Sequence, residues 1–315
     1  MKVSLLIIVT LFTLVTTAKG QHHEKEVFLF SYFKGNGEDG LHLAYSEDGF
    51  KWYALKSDSS FLKPAAGKDK LMRDPCIIIG GDGKFHMVWT VSWSEKGIGY
   101  ASSNDLVNWS EQQYIPVMEH EPATRNTWAP EITFDQRNNR YVIYWASTIP
   151  GRFTETESAG DDKYNHRLYY STTKDFKTFS KTALLYDQGF NVIDATMVPA
   201  EDRYIMFLKD ETRTPPQKNI RLAFSEKDDI TKFGKPSAPI TGNYWAEGPT
   251  VVKINSEWIV YFDKYTQHKY GAVSSSDLEQ WKDISDQIVM PQGMRHGSVL
   301  KITETQLRKL QDRSR

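Results

Sequence analysis

The apolar positions of this chain fall into short runs separated by polar turns, with no long stretch at helical spacing. Residues 27–33, 85–91, 141–145, 204–208 and 258–262 are dense in aromatic and β-branched side chains and predict strands. Four of these runs are entered through polar turns: Gly81-Asp82-Gly83, residues 136–140, Glu201-Asp202 and Asn255-Ser256. Before each of those turns stands another short apolar strand, at 75–79, 132–134, 196–198 and 250–254. A fifth strand of that kind, 298–302, occurs only near the C-terminus.

A second pattern overlies the first. A Ser- or Thr-rich segment, an acidic residue and a closing aromatic recur five times. The copies are Ser46-Glu47-Asp48-Gly49-Phe50-Lys51-Trp52, Ser103-Asn104-Asp105-Leu106-Val107-Asn108-Trp109, Ser171-Thr172-Thr173-Lys174-Asp175-Phe176 with Phe179, Ser225-Glu226-Lys227-Asp228-Asp229 with Phe233, and Ser275-Ser276-Asp277-Leu278-Glu279-Gln280-Trp281. The closing aromatics lie about 48 to 70 residues apart, the period of a propeller blade. Four units therefore read inner strand to closing strand in order. The fifth inner strand is C-terminal, and its partners are the N-terminal strands at 27–33 and 41–45. Pairing the chain ends closes the ring and removes open edges, so the expected fold is an all-β, five-bladed β-propeller. The expected domain is a single one over residues 21–315, with a polar tail from 303 that ends in a short helix or frays. The long segments 150–165 and 209–218 exceed ordinary turns and are candidates to rim a site.

The first twenty residues stand apart. Lys2 is followed by an apolar stretch of about 13 residues, and Ala18-Lys19-Gly20 places small residues before Gln21. This is the layout of a cleaved export signal, too short to span a bilayer, and it predicts a periplasmic or secreted protein.

Composition narrows the function. The 39 Lys+Arg balance 40 Asp+Glu, which argues against nucleic acid or an anionic membrane surface as partner, and no membrane insertion is expected. The lone Cys76 excludes an internal disulfide and a cysteine zinc cluster. Aromatics make up 13% of the chain, enough for a large core and for flat polar ligands.

Candidate chemistry sits where the inner strands begin: Arg73-Asp74-Pro75, Trp128-Ala129-Pro130-Glu131, Ile193-Asp194-Ala195-Thr196, Trp245-Ala246-Glu247-Gly248-Pro249 and Arg295-His296-Gly297-Ser298. In a propeller these positions converge on one mouth of the central channel. A carboxylate pair in such a pocket does acid and base work when neighbours separate the two pKa values. Tryptophan faces suit sugar rings, so an oligosaccharide or polysaccharide is the expected substrate.

This series, one motif per blade and in order, resembles glycoside hydrolase family 43. The resemblance implies inversion of the anomeric centre, with Asp74 as general base, Asp194 as the carboxylate that tunes and orients the acid, and Glu247 as general acid kept protonated by burial and by Asp194. Glu131 departs from the aspartate many relatives carry there, and is expected to contact substrate or tune the acid. Trp128, Trp245, Arg295 and His296 are expected substrate contacts. No cofactor is required by the resemblance, although a histidine at the position of His296 often supports a central metal ion, here calcium. Among the family's activities the favoured one is an exo-acting α-L-arabinofuranosidase. β-Xylosidase and galactan-directed activities stay open, as do a retaining fructosidase-like hydrolase and a non-catalytic sugar-binding propeller. The retaining reading lacks its upstream nucleophile motif, since residues 35–40 read Gly-Asn-Gly-Glu-Asp-Gly.

Overall fold

The computed structural model describes residues 24–312. The export signal expected over the first twenty residues therefore lies outside the described residues.

The short apolar runs form five four-stranded antiparallel sheets arranged in a ring, as the repeat predicts. Blade 1 comprises Arg73–Ile79, Phe85–Thr90, Ile98–Ser103 and Gln113–Ile115; blade 2, Trp128–Asp135, Arg140–Ser147, Arg167–Thr173 and Ala183–Tyr186. Blade 3 comprises Val192–Ala200, Arg203–Asp210, Asn219–Glu226 and Asp229–Phe233; blade 4, Glu247–Ile254, Glu257–Lys264, Lys269–Ser275 and Lys282–Asp283. In blade 5 the C-terminal strand Arg295–Thr303 lies innermost, against Glu26–Phe33, His42–Ser46 and Tyr53–Ala54. Ser31 faces Ser298 and Phe30 faces Val299 in that closing pair. The Ser31 hydroxyl also donates to Pro75 O at 2.6 Å, and Ile77 N–H donates to Ser298 Oγ at 2.9 Å, which stitches blade 5 to blade 1.

The second strand of each blade is covered on both faces. Every residue of Phe85–Thr90 is buried, and so is almost all of Arg140–Ser147 and Glu257–Lys264. A strand buried on both sides loses the alternation of a half-exposed one, which is why these runs read as continuous apolar blocks. Trp89, Trp145, Phe207 and Tyr261, each from a second strand, fill the wedges between blades.

The repeated Ser/Thr and Asp build one turn. Ser46 Oγ accepts from Gly49 N–H at 2.8 Å, while Asp48 Oδ1 accepts from the amides of Phe50 and Lys51 at 2.7 and 2.9 Å. The same pairs recur at Ser103/Asp105, Thr173/Asp175 and Ser275/Asp277. The fourth copy differs. Glu226 pairs directly with Asp229 across a tight hairpin, and the Asp229 carboxylate turns to Thr231. The tail forms a helix, Glu304–Asp312, that buries Leu307 and Leu310. It is the longest helix among the described residues, and none there is long and apolar enough to cross a membrane.

Candidate active site

Four inner strands carry a bulge at the same place. Pairing with the second strand shifts between Arg73 and Cys76, Trp128 and Glu131, Ile193 and Thr196, and Glu247 and Thr250. The residue that turns is left-handed in each: Asp74 (φ +51°), Ala129 (+46°), Asp194 (+51°) and Gly248 (+59°). Proline follows three of them, tolerated because a bulge needs no ladder N–H there. The Asp-Pro, Ala-Pro and Gly-Pro steps in the sequence are thus the marks of the bulges that re-aim side chains toward the channel mouth.

His296 stands at the centre of the cluster. Its Nδ1 lies 3.4 Å from Asp74 Oδ1 and 4.0 Å from Asp194 Oδ2. Burial opposes a charge on the imidazole, but Asp194, Asp74 and Glu131 outweigh it and carry its pKa up to about 9. The Asp74 carboxylate moves the other way. Burial pushes it up, yet the His296 hydrogen bond and charge, with help from Arg73 and from the Thr90 hydroxyl at 2.8 Å, hold it at about 2. Burial raises Asp194 to about 6, with Glu247 and Asp74 adding to the rise and His296 and Lys209 opposing it. Its Oδ2 accepts the Gly248 N–H at 3.0 Å, the amide directly after Glu247.

Glu247 is held from both sides. Lys209 Nζ donates to Oε2 at 3.1 Å and Arg295 Nη2 to Oε1 at 3.2 Å. Arg295 is anchored in turn by Asp263 Oδ2 at 2.7 Å. Lys209 is buried, and also pairs with Glu211 at 2.6 Å; Glu211 bridges to buried Lys218, which reaches Asp161 at 2.5 Å. The segments 150–165 and 209–218 are thus tied together by ion pairs beside Glu247, which places both long loops on the rim.

Glu131 takes a different position. Two residues past its bulge, it faces the central cavity of about 280 Å³ that Cys76, Thr196, Thr250 and Ser298 also line. Burial raises its carboxyl to about 7, and Tyr144 OH donates to Oε2 at 3.3 Å. Trp128 stands at the mouth, its indole N–H on Trp93 O at 3.0 Å. Trp245 is tilted against Tyr265 and carries the Arg213 guanidinium 4.8 Å from its ring centre. Around His296 the carboxylates of Asp74 and Asp194 face Nδ1, and no group of three or more His, Cys, Asp or Glu among the described residues is arranged to hold a metal ion. The residues present do not form a protein cage for the expected calcium.

Sequence reasoning missed Thr90, Lys209 and Asp263. Thr90 ends its second strand, and Lys209 and Asp263 stand one residue before the ends of theirs; they support Asp74, Glu247 and Arg295 respectively. Nothing in the sequence beside these three, or beside Trp93 and Asn36, marks the partners they meet in the fold.

A model of the family 43-related glycosyl hydrolases, described as a "probable glycosyl hydrolase domain", matches residues 24–308. The chain belongs to this family. Family 43 enzymes also recur among similar solved structures. An α-L-arabinofuranosidase of Lactobacillus brevis shares 16% identity and a TM-score of 0.52, over 68% of this chain and 72% of that one. An exo-β-1,3-galactanase of Phanerochaete chrysosporium shares 16% at a TM-score of 0.53, over 71% and 53%. At such identities the likeness is one of fold. A curated α-L-arabinofuranosidase of Bifidobacterium longum subsp. longum is 26% identical over 223 residues, 59% of this chain. The match spans 21% of that relative's length. The chain thus carries the domain of the family 43-related glycosyl hydrolases on a five-bladed propeller.

Proposed function

We propose that the protein is an exported, inverting, exo-acting α-L-arabinofuranosidase, with Asp74 as base, Glu247 as acid and Asp194 as the residue that orients the acid. The observation that carries the mechanism is the separation of environments within one cluster. Asp74 is held ionised by His296, whereas Asp194 stays partly protonated near neutral pH and fixes the amide next to Glu247.

Asp74 takes a proton from water as the water oxygen attacks the anomeric carbon. The glycosidic bond breaks on the opposite face, and Glu247 gives its proton to the departing oxygen. Solvent then restores both groups. Arg295 and Lys209 each donate to one oxygen of Glu247 and hold its carboxyl group in one orientation toward the mouth. The arabinofuranose preference is supported by the 26% relative, and export by the layout of the first twenty residues.

The test is hydrolysis of aryl α-L-arabinofuranoside, β-D-xyloside, β-D-galactoside and β-D-fructofuranoside substrates by wild type and Glu247→Gln. The expected result is turnover of the arabinofuranoside, lowered by about 10²–10⁴-fold in the variant. Turnover of a different glycoside would reassign the sugar. Sugar binding with no turnover by wild type would overturn the catalytic reading.

A further inference from the structure

Arginines among the described residues are almost all neutralised. Arg137, Arg140, Arg152, Arg167, Arg203, Arg213, Arg221, Arg295 and Arg308 each have a carboxylate oxygen within 4.0 Å. Among the described residues Arg73 and Arg125 are the exceptions, and both stand at the channel mouth.

The two are joined by one aromatic wall. The Arg73 guanidinium sits 4.3 Å from the Trp93 ring centre. Trp93 meets Trp128 edge to face at 5.4 Å, and Trp128 leans on Tyr164 at 4.7 Å. Arg125 lies over the Tyr164 ring at 4.0 Å. The polar contacts of the guanidiniums are neutral ones: Arg73 Nη1 donates to Asn36 Oδ1 at 3.0 Å, and Arg125 Nη1 to Asp162 O at 3.0 Å. Asn36 Oδ1 also accepts the Trp93 indole N–H at 3.1 Å, so ring and guanidinium are fixed together. Trp93 is nonetheless 46% exposed, a large apolar face left open beside Asp74 and its neighbours. Glu38 feels the charge of Arg73, but its carboxylate is engaged by Asn36 at 3.0 Å and lies beyond ion-pair distance.

We propose that this wall binds an acidic glycan, with Arg73 and Arg125 receiving the carboxylates of uronosyl residues next to the sugar that is released. This inference rests on the glycosidase reading and adds the substrate class to it. A guanidinium presents paired N–H donors that match a carboxylate, and stacking on an aromatic ring holds its plane without using those donors. Sugar C–H faces pack on the open indole of Trp93 between the two charges. Arginines meant only to shore up the loops would be paired with acids, as their counterparts elsewhere in the molecule are.

The experiment is titration calorimetry of the full protein with galacturonate oligosaccharides, their neutral methyl esters and a sulfated galactan oligosaccharide. Wild type, Arg73→Gln, Arg125→Gln, the Arg73→Lys and Arg125→Lys variants, and Arg137→Gln as a remote control are compared, with melting temperature as the check on folding. The expected result is at least tenfold tighter binding of the acid than of its ester, weakening with salt. That preference is reduced in each Gln variant, partly kept in the Lys variants, and unchanged in Arg137→Gln. Equal binding of acid and ester, or an acid preference that survives both Gln substitutions, would overturn it. Preference for the sulfated oligosaccharide would overturn the assignment to carboxylates. Turnover of neutral glycosides without a uronide preference sinks this inference and leaves the glycosidase reading standing. Uronide binding with no hydrolysis of any glycoside does the reverse.

Discussion

Asp74 of blade 1 and Asp194 of blade 3 share one backbone conformation, φ +51°, as the left-handed residue of equivalent bulges. Their carboxylates therefore reach His296 Nδ1 from two sides, at 3.4 and 4.0 Å, although 120 residues separate them in sequence (194 − 74). Asparagine is enriched in this conformation, whereas alanine holds it only at a cost in backbone strain, as Ala129 does in the equivalent bulge of blade 2. Asp74→Asn is expected to keep its melting temperature within a few degrees while hydrolysis falls about 10²–10⁴-fold. Asp74→Ala should lose activity as well and, in addition, about 1–2 kcal/mol of stability from the strained backbone. Denaturant unfolding beside initial rates separates the two effects. An Asn variant that loses as much stability as the Ala variant would show that the backbone argument is wrong.

Lys209 is the buried cation that Glu247 and Glu211 share. Burial opposes its charge, and the two glutamates with Asp194 raise its pKa well above the usual lysine value. Lys209→Met leaves those carboxylates facing each other without it, and the expected loss is about 3 kcal/mol. Adding Glu211→Gln should recover part of that stability without recovering activity, because Glu247 still lacks its tether. Urea unfolding of the single and double variants reads the coupling, and strictly additive effects would contradict it.

The site's protonation gives stability a slope with pH. His296 is raised to about 9 from an ordinary 6.5, so the folded state binds the extra proton and the stabilisation is complete below pH 6.5. It is lost as pH climbs toward 9. Glu131 and Asp194, raised to about 7 and about 6, also make the folded state the better proton binder, so stability falls as pH rises from near 4 into that range. Asp74, lowered to about 2, contributes in the opposite sense, and its share is lost only as pH falls below 4. His296→Gln is expected to flatten the melting-temperature profile between pH 6.5 and 9, and Glu131→Gln the profile between pH 4.5 and 7. Profiles parallel to wild type would contradict these assignments.

Gly248 is where a functionless atom should do damage. Its φ is +59°, and a Cβ there would meet the His296 ring at 2.4 Å, against a side chain already packed among carboxylates. Gly248→Ala is expected to cost about 2 kcal/mol or more and to displace His296, so activity falls with no catalytic group removed. A chemical-shift change of the His296 imidazole would accompany it; an unshifted imidazole and full activity would show that the contact relaxes harmlessly.

Much of this could be read from residues alone because propeller blades are local units. The Ser46/Asp48 type of turn and the Asp74-Pro75 and Gly248-Pro249 bulges are each written within a few consecutive residues, so blade period, ring closure and the three carboxylates were legible. Ser225-Glu226-Lys227-Asp228-Asp229 reads as a fourth equal copy, but a two-residue turn at Lys227-Asp228, with Asp228 left-handed at φ +63°, pairs Glu226 directly with Asp229. The supports of the site were not legible, because Thr90, Lys209 and Asp263 act across blades or on neighbouring strands, and nothing near them in sequence names their partners. The wall from Arg73 through Trp93 to Arg125 is likewise assembled from segments that meet only in the ring.

The central claim is inversion at the anomeric carbon by Asp74 and Glu247. It is tested most directly by proton NMR of the first product formed from an aryl α-L-arabinofuranoside, followed faster than mutarotation. β-L-Arabinofuranose is expected first, with no product on that timescale from Asp74→Asn. α-L-Arabinofuranose as the first product would contradict it, since retention requires a covalent intermediate that this arrangement of carboxylates is not assigned to form.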